Sequence, residues 1–328
     1  MAALQKTSTS NVREELFRLI TPNTTVIIGL SGGPDSVYLL HHVMHVRESL
    51  GLSLIAAHLD HEWRASSKDD VAFCQRLCAG LQIPLEIGYA SHLTHTIVPN
   101  GSQEEVGRKL RRLFLEQVRA AHQASDILLA HHQDDQLETF FINLIRGTTI
   151  AGLGGMKAHD GFFVRPLLQI TKQDILAYLA EHSIPYQIDP TNESDAYLRN
   201  RIRSNLIPAF AACDDRSKKN LTRAMKNLEE TERFLKIVTE QALVSVVAPS
   251  ETDHRTLDLQ KFFALNPYLQ YRVLAQWLSL ETNGAARSSE SFLQEIMRFL
   301  QSPRGGTHEL SPEWELEKAK GLLSLKHR

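Results

Sequence analysis

Thirteen residues near the amino terminus constrain this chain more than any others: Thr24-Thr25-Val26-Ile27-Ile28-Gly29-Leu30-Ser31-Gly32-Gly33-Pro34-Asp35-Ser36. The apolar, β-branched run Val26-Ile27-Ile28 reads as a buried strand, and small, permissive residues follow at once. Pro34 and Asp35 suit the first turn of a helix, which Val37, Leu40 and Met44 continue on one face. Strand, glycine-rich turn and helix N-terminus together present backbone N–H groups and the positive end of a helix dipole. That is a cradle for phosphate. Gly32 and Gly33 let the backbone approach the anion, while Ser31 and Ser36 add hydroxyl donors. Asp35 has the same sign of charge as a phosphate, so it reads as a ligand for a bridging Mg2+. The loop lacks the Lys-Ser/Thr of a Walker A loop and the Gly spacing of a dinucleotide fold.

Further strand-like runs follow at 52–60, 84–89 and 126–130, separated by helical patterns at 68–81 and 102–122. Ser102 and Glu105 have capping-box spacing at the start of the second. Strands alternating with helices predict an α/β fold with a doubly wound, mostly parallel sheet, whose ligands sit at the carboxyl ends of the strands. The Ser31 loop, Asp60-His61 and His131-His132 all fall just beyond predicted strands, so they should share one rim. From Asp214-Asp215 the texture changes. Residues 216–244 read as one long helix, 268–278 and 291–300 as two more, and the tail alternates roughly as short strands would. The expected organisation is a catalytic domain over 1–214 and a smaller, mainly helical domain over 215–328. A length of 328 residues is enough for both.

The second informative stretch is Ala130-His131-His132-Gln133-Asp134-Asp135-Gln136-Leu137-Glu138-Thr139. Asp135 and Glu138 could serve as a helix-start capping pair, but four further polar residues at a sheet rim exceed what a cap needs. Two carboxylates facing a phosphate cradle fit Mg2+ better than they fit zinc, which wants Cys or more His. A neutral His there could accept a proton from an attacking nucleophile. The third stretch runs from Asp189-Pro190-Thr191-Asn192-Glu193 to Tyr197-Leu198-Arg199-Asn200-Arg201-Ile202-Arg203, with three arginines in five residues. Arg216, Lys218, Lys219, Arg223 and Lys226 follow, with no acid from 216 to 228. As a helix this segment offers a basic surface that could track a nucleic-acid backbone. The net charge of −2 gives no global sign of such a partner, so the surface must be local.

Cys74, Cys78 and Cys213 are too few for a disulfide framework and read as thiols in a reducing compartment. No signal-peptide pattern or membrane-length apolar run is found, so a cytoplasmic protein without a membrane partner is expected.

Ser-Gly-Gly-x-Asp-Ser at 31–36 resembles the PP-loop of ATP pyrophosphatases. The ordered set that follows is His131-His132-Gln133-Asp134-Asp135-Gln136-Leu137-Glu138-Thr139, Arg146-Gly147, Gly152-Leu153-Gly154-Gly155-Met156, Arg165-Pro166-Leu167-Leu168 and Arg199-Asn200-Arg201-Ile202-Arg203. It resembles the tRNA(Ile)-lysidine synthetase family over most of residues 24–210. The resemblance implies ATP and Mg2+, free L-lysine, and a tRNA(Ile) with a CAU anticodon as substrate. ATP would adenylate C2 of the wobble cytidine, and lysine would then displace AMP. Asp35, His131, Asp135 and one of Arg201 or Arg203 correspond to catalytic positions, with Asp35 and Asp135 holding the metal. Glu138 would hold the lysine ammonium; Arg111, Arg199, Lys218, Lys219 and Arg223 would contact substrate. Where the family tends to show an arginine before an aromatic, this chain has Arg111-Arg112-Leu113. The chain is short for the family, so an extra C-terminal RNA-binding domain is not expected; a homodimer is allowed. A tRNA thiolase and a non-catalytic tRNA-binding protein are the competing readings. The first calls for reactive cysteines, commonly Cys-x-x-Cys, where this chain has Cys74-x-x-x-Cys78.

Overall fold

The computed structural model describes residues 2–63, 67–94, 102–188, 198–248, 255–285 and 289–327. The 189–193 stretch and Tyr197 lie outside the described residues. In the first compact unit, residues 1–229, the order is α1 (Ala2–Leu19), β1 (Thr25–Gly29), α2 (Pro34–Arg47), β2 (Ser53–Asp60), α3 (Ser67–Gly80), β3 (Leu85–Tyr89), α4 (Ala90–Leu93), α5 (Gln103–Ala121), β4 (Asp126–Leu128), α6 (Gln133–Ile145), α7 (Ile150–Leu153), β5 (His159–Asp160), β6 (Phe163–Val164), α8 (Lys172–Glu181), α9 (Leu198–Arg201) and α10 (Ile207–Cys213). The sheet runs β3-β2-β1-β4-β6-β5, parallel except for the β5 edge. The strand order reverses between β1 and β4, which opens a crevice at their carboxyl ends.

Alternation along the strands builds two cores. Val26 and Ile28 of β1 face a layer made by α1, α2, α3 and α8, with Val12, Leu16, Val37, Leu40, Phe73 and Leu179 buried there. Ile27 faces the other side, against Leu110, Phe114 and Leu115 of α5. A strand buried on both faces reads as the continuous apolar run seen in the sequence. The capping box at Ser102 and Glu105 is present, with Ser102 Oγ accepting from Glu105 N and the Glu105 carboxylate accepting from Ser102 N.

A third, smaller core joins Leu137 and Phe141 of α6 to Ile202, Ile207 and Met225. Between α9 and α10 the helix widens into a π-helical turn, Ile202–Leu206, in which Ile207 N–H reaches back to Ile202 O. Pro208 supplies the cause: it has no N–H for an ordinary helical bond and its ring crowds the preceding turn.

The second unit, residues 230–328, contains the later turns of α11 (Ser217–Val246), then β7 (Val247–Ala248), β8 (Thr256–Asp258), α12 (Leu259–Ala264), α13 (Pro267–Glu281), α14 (Glu290–Gln301), β9 (Gly306–Glu309), β10 (Trp314–Ala319) and β11 (Leu322–His327). Its helices pack with a small antiparallel sheet, β7-β8-β11-β10-β9, around Trp277, Phe262 and Ile296. The tail alternation is therefore part of a sheet. Asp214-Asp215 precede α11, and the division between the compact units falls within that helix. Among the described residues, no helix is long and apolar enough to cross a membrane.

Candidate active site

The cradle follows β1. Gly32 has φ +82°, and a Cβ there would also crowd Cys74 and Phe73, so this position requires glycine. Ser36 Oγ donates to Gly33 O at 3.0 Å and accepts from Ser31 N at 3.2 Å, and Ser31 Oγ accepts from Gly33 N at 3.3 Å. The two hydroxyls thus shape the loop as well as lining it. Gly33 is the N-cap of α2 and Pro34 its first residue, with no side chain capping the helix. The first-turn donors after Pro34 are left for an anion. Buried His58 braces the loop from below, its Nδ1 donating to Leu30 O at 2.8 Å.

Across the crevice, β4 delivers the α6 N-terminus to the same rim. Its cap pair is His132 with Asp135: Asp135 Oδ2 accepts from His132 N at 2.9 Å. His132 Nε2 lies 3.7 Å from Asp35 Oδ1 and 3.5 Å from Asp135 Oδ2, so both carboxylates converge on one imidazole edge. Burial pushes the Asp135 carboxyl up, but His132, His131, the His132 N–H and Arg199 hold it below its ordinary range overall. His131 stands beside it with Nδ1 buried and unpartnered. Burial, with Arg165, Arg108 and Arg199, keeps His131 neutral against the pull of Asp135.

Three residues that sequence reasoning left without a role complete the rim. Lys172, at the start of α8, donates from Nζ to Asp35 Oδ1 at 2.6 Å, supplying a cation to the acid beside the cradle. Asp134 then ties the elements together, accepting from Lys172 N at 3.0 Å and from Lys218 Nζ at 3.3 Å. His132 is the other omission, since the sequence reading gives a role to His131 alone.

Glu138 is fully buried. Its Oε1 accepts from Arg203 Nε at 2.6 Å, and Arg199 Nε lies 3.2 Å from Oε2. Arg203 also approaches Asp135 Oδ1 at 3.9 Å, and the Glu138 contact raises its pKa further although burial opposes this. Arg199 and Arg203 are four apart and share a helix face; exposed Arg201 is not brought to these acids. Arg111 instead donates to His61 Nε2 at 3.1 Å. Gln136 holds the glycine-rich 152–156 segment, exchanging two hydrogen bonds with the Met156 backbone. A cavity of about 260 Å³ is lined by Gln133, Gln169, Lys219, Thr222, Arg223 and Lys226. It places Lys219 and Arg223 with Lys226 on one exposed stripe of α11.

The PP-loop domain model matches residues 5–210. The chain belongs to the PP-loop family. It is 32% identical over 314 residues to tRNA(Ile)-lysidine synthase of Bacillus subtilis (strain 168), covering 94% of this chain and 65% of that protein. It is 36% identical over 238 residues to tRNA(Ile)-lysidine synthase of Parabacteroides distasonis, covering 72% of this chain and 53% of that protein. The chain thus spans between half and two thirds of the length of these curated relatives. Among solved structures, the U34-tRNA thiolase NcsA from Methanococcus maripaludis with its [4Fe-4S] cluster matches with TM-score 0.60 and 21% identity. That match covers 69% of this chain and 78% of that one, a likeness of fold alone.

The donor set suits Mg2+. Asp35 and Asp135 offer carboxylate oxygens from opposite sides of the crevice, and Mg2+ commonly takes one or two carboxylates with substrate phosphates. Lys172 balances part of this charge within the protein itself.

Proposed function

We propose that this chain joins free L-lysine to C2 of the wobble cytidine of a tRNA(Ile) with a CAU anticodon, at the expense of ATP. The carrying observation is the convergence, at the β1/β4 switch point, of a phosphate cradle with two carboxylates, a neutral histidine and paired arginines. The C2 carbonyl oxygen attacks the α-phosphorus, and the bond to pyrophosphate breaks. The ε-amine of lysine then attacks C2, the C2–O bond breaks with release of AMP, and the amine loses a proton.

In this reading the Ser31–Ser36 loop binds the departing pyrophosphate, and Lys172 supplies the side-chain cation that a Walker lysine supplies elsewhere. Asp35 and Asp135 would hold Mg2+, which when bound offsets phosphate charge. Arg203 and Arg199 orient negative charge over α6. His131 receives the proton of the attacking amine. Phosphate entering among Arg108, Arg165 and Arg199 would offset part of the positive field that weakens His131 as a base. Glu138, whose carboxylate Arg203 and Arg199 share, is the acid assigned to the lysine ammonium, while Lys219 and Arg223 face the tRNA backbone and Lys218 holds Asp134.

The thiolase alternative draws on cysteine chemistry that the buried pair does not favour. Burial pushes the Cys74 thiol up to about 12 and Cys78 to about 11, whereas sulfur transfer needs accessible thiolate. The test is AMP release from ATP in the presence of lysine, tRNA or both. Release requiring both supports ligation; release with tRNA and a sulfur donor but without lysine would transfer the assignment to a thiolase.

A further inference from the structure

The ligation chemistry makes no use of a second built corner of the rim, at the carboxyl end of β2. The strand ends at Asp60, and the chain turns through His61, Glu62 and Trp63. Glu62 has φ +56°, a conformation that residues with side chains adopt only where contacts enforce it. Two contacts do so here. Glu62 N donates to Asp60 Oδ1 at 2.7 Å, and the Glu62 carboxylate accepts from Ser91 N at 2.7 Å.

The turn thrusts an indole outward. Trp63 is 47% exposed, while Trp277 is 0% exposed. His61 stacks against Trp63 with centroids 4.5 Å apart and planes at 24°. The edge of the indole rests on Gly107 of α5, where a Cβ would come within 2.4 Å of Cη2. Burial, then Arg111, holds the His61 pKa down to about 4, so the ring is neutral and accepts the Arg111 hydrogen bond. A constrained turn, a glycine seat and an arginine-locked imidazole therefore support a large apolar face that folding leaves wet. Beside it, α5 presents exposed Arg108 and Arg111 just after Gly107, while Arg112 pairs with Glu116 at 2.9 Å and lies over the Phe163 ring.

We propose that Trp63 is a stacking platform for an unpaired base of the RNA substrate, with Arg108 and Arg111 meeting the adjoining backbone. This rests on the tRNA reading above. Aromatic faces set in a cationic edge are the usual means of holding single-stranded nucleic acid, because every base has a π-face. Chemistry on a base also requires taking it out of its stack, which leaves neighbouring bases to be held. The adenine of ATP is the less favoured occupant. The cradle packs on Phe73 and Cys74 of α3, in the helical layer across the sheet from α5, where the indole is seated.

The test uses the full chain and its Trp63→Ala and Trp63→Phe variants, with an anticodon stem-loop RNA, the same RNA with abasic loop positions, and ATP. Stacking predicts that Trp63→Ala weakens stem-loop binding by about 5- to 100-fold, that Trp63→Phe restores most of it, and that ATP affinity is unchanged. The abasic RNA should bind unaltered chain and Trp63→Ala alike, and intact RNA should quench the exposed indole. Equal stem-loop affinities for the folded Trp63→Ala variant and the unaltered chain would overturn the proposal while leaving the tRNA reading in place. So would an ATP affinity that falls as far as the RNA affinity, which would assign the indole to adenine. Failure of the unaltered chain to bind either RNA would remove both readings.

Discussion

Replacing Glu138 with Gln keeps the shape of the side chain and removes the charge that two arginines share. Breaking a fully buried ion pair by deleting one partner costs about 3–5 kcal/mol. Glu138 is 0% exposed, but the Arg203 and Arg199 side chains are 45% and 24% exposed. Both guanidiniums can recover part of their hydration, so solvent screening reduces the cost to about 1–3 kcal/mol. In a unit of this size that corresponds to a melting temperature lower by about 2–10 °C. Thermal unfolding should be followed together with ATP–pyrophosphate exchange and the lysine dependence of AMP release. If Glu138 binds lysine, the lysine requirement should rise sharply while exchange persists. If it chiefly anchors Arg203 and Arg199, exchange should fall with stability and the lysine requirement should change little. A folded Glu138→Gln variant with unchanged melting, exchange and lysine dependence would refute both roles.

Asp35→Asn should abolish pyrophosphate release in a folded protein, because the cradle would lose the acid that Lys172 now balances; near-normal ATP–pyrophosphate exchange would remove Asp35 from the mechanism. Replacing Lys219, Arg223 and Lys226 with Ala should reduce the salt slope of tRNA binding by about 2–3 and leave ATP binding intact; an unchanged slope would make the α11 stripe a solvated face. Burial, with His45, His41 and His182, lowers the pKa of His42 to about 3, whereas the unfolded chain takes up that proton near ~6.5, so stability falls as pH drops between these values. His42→Phe should therefore remove about 2 kcal/mol of the stability lost between pH 6.5 and pH 5, measured by urea unfolding; an unchanged acid limb would contradict a neutral buried His42.

The cradle was legible because its signals are local: a β-branched run, a turn and a helix start lie within Thr24–Ser36. The order of motifs also placed His131 and Asp135 at the β1/β4 crevice. Lys172 was not legible, since its bond to Asp35 joins residues 137 apart and nothing adjacent to it announces the contact. His132 was hidden by adjacency, because two neighbouring histidines look equivalent until the α6 cap turns one toward both carboxylates. The separation of Arg199 and Arg203 from Arg201 follows from helical periodicity and could have been read, as could the widening at Pro208. The small C-terminal sheet was harder, because β7 and β8 are too short to carry a period.

Ligation of lysine to tRNA is tested most directly by mass analysis of tRNA nucleosides after incubation with the chain, ATP and each amino acid in turn. Lysine alone should convert one cytidine of a CAU-anticodon tRNA(Ile) to a product heavier by lysine less one water. Unmodified cytidine with lysine present, or a sulfur-for-oxygen product without it, would contradict the assignment.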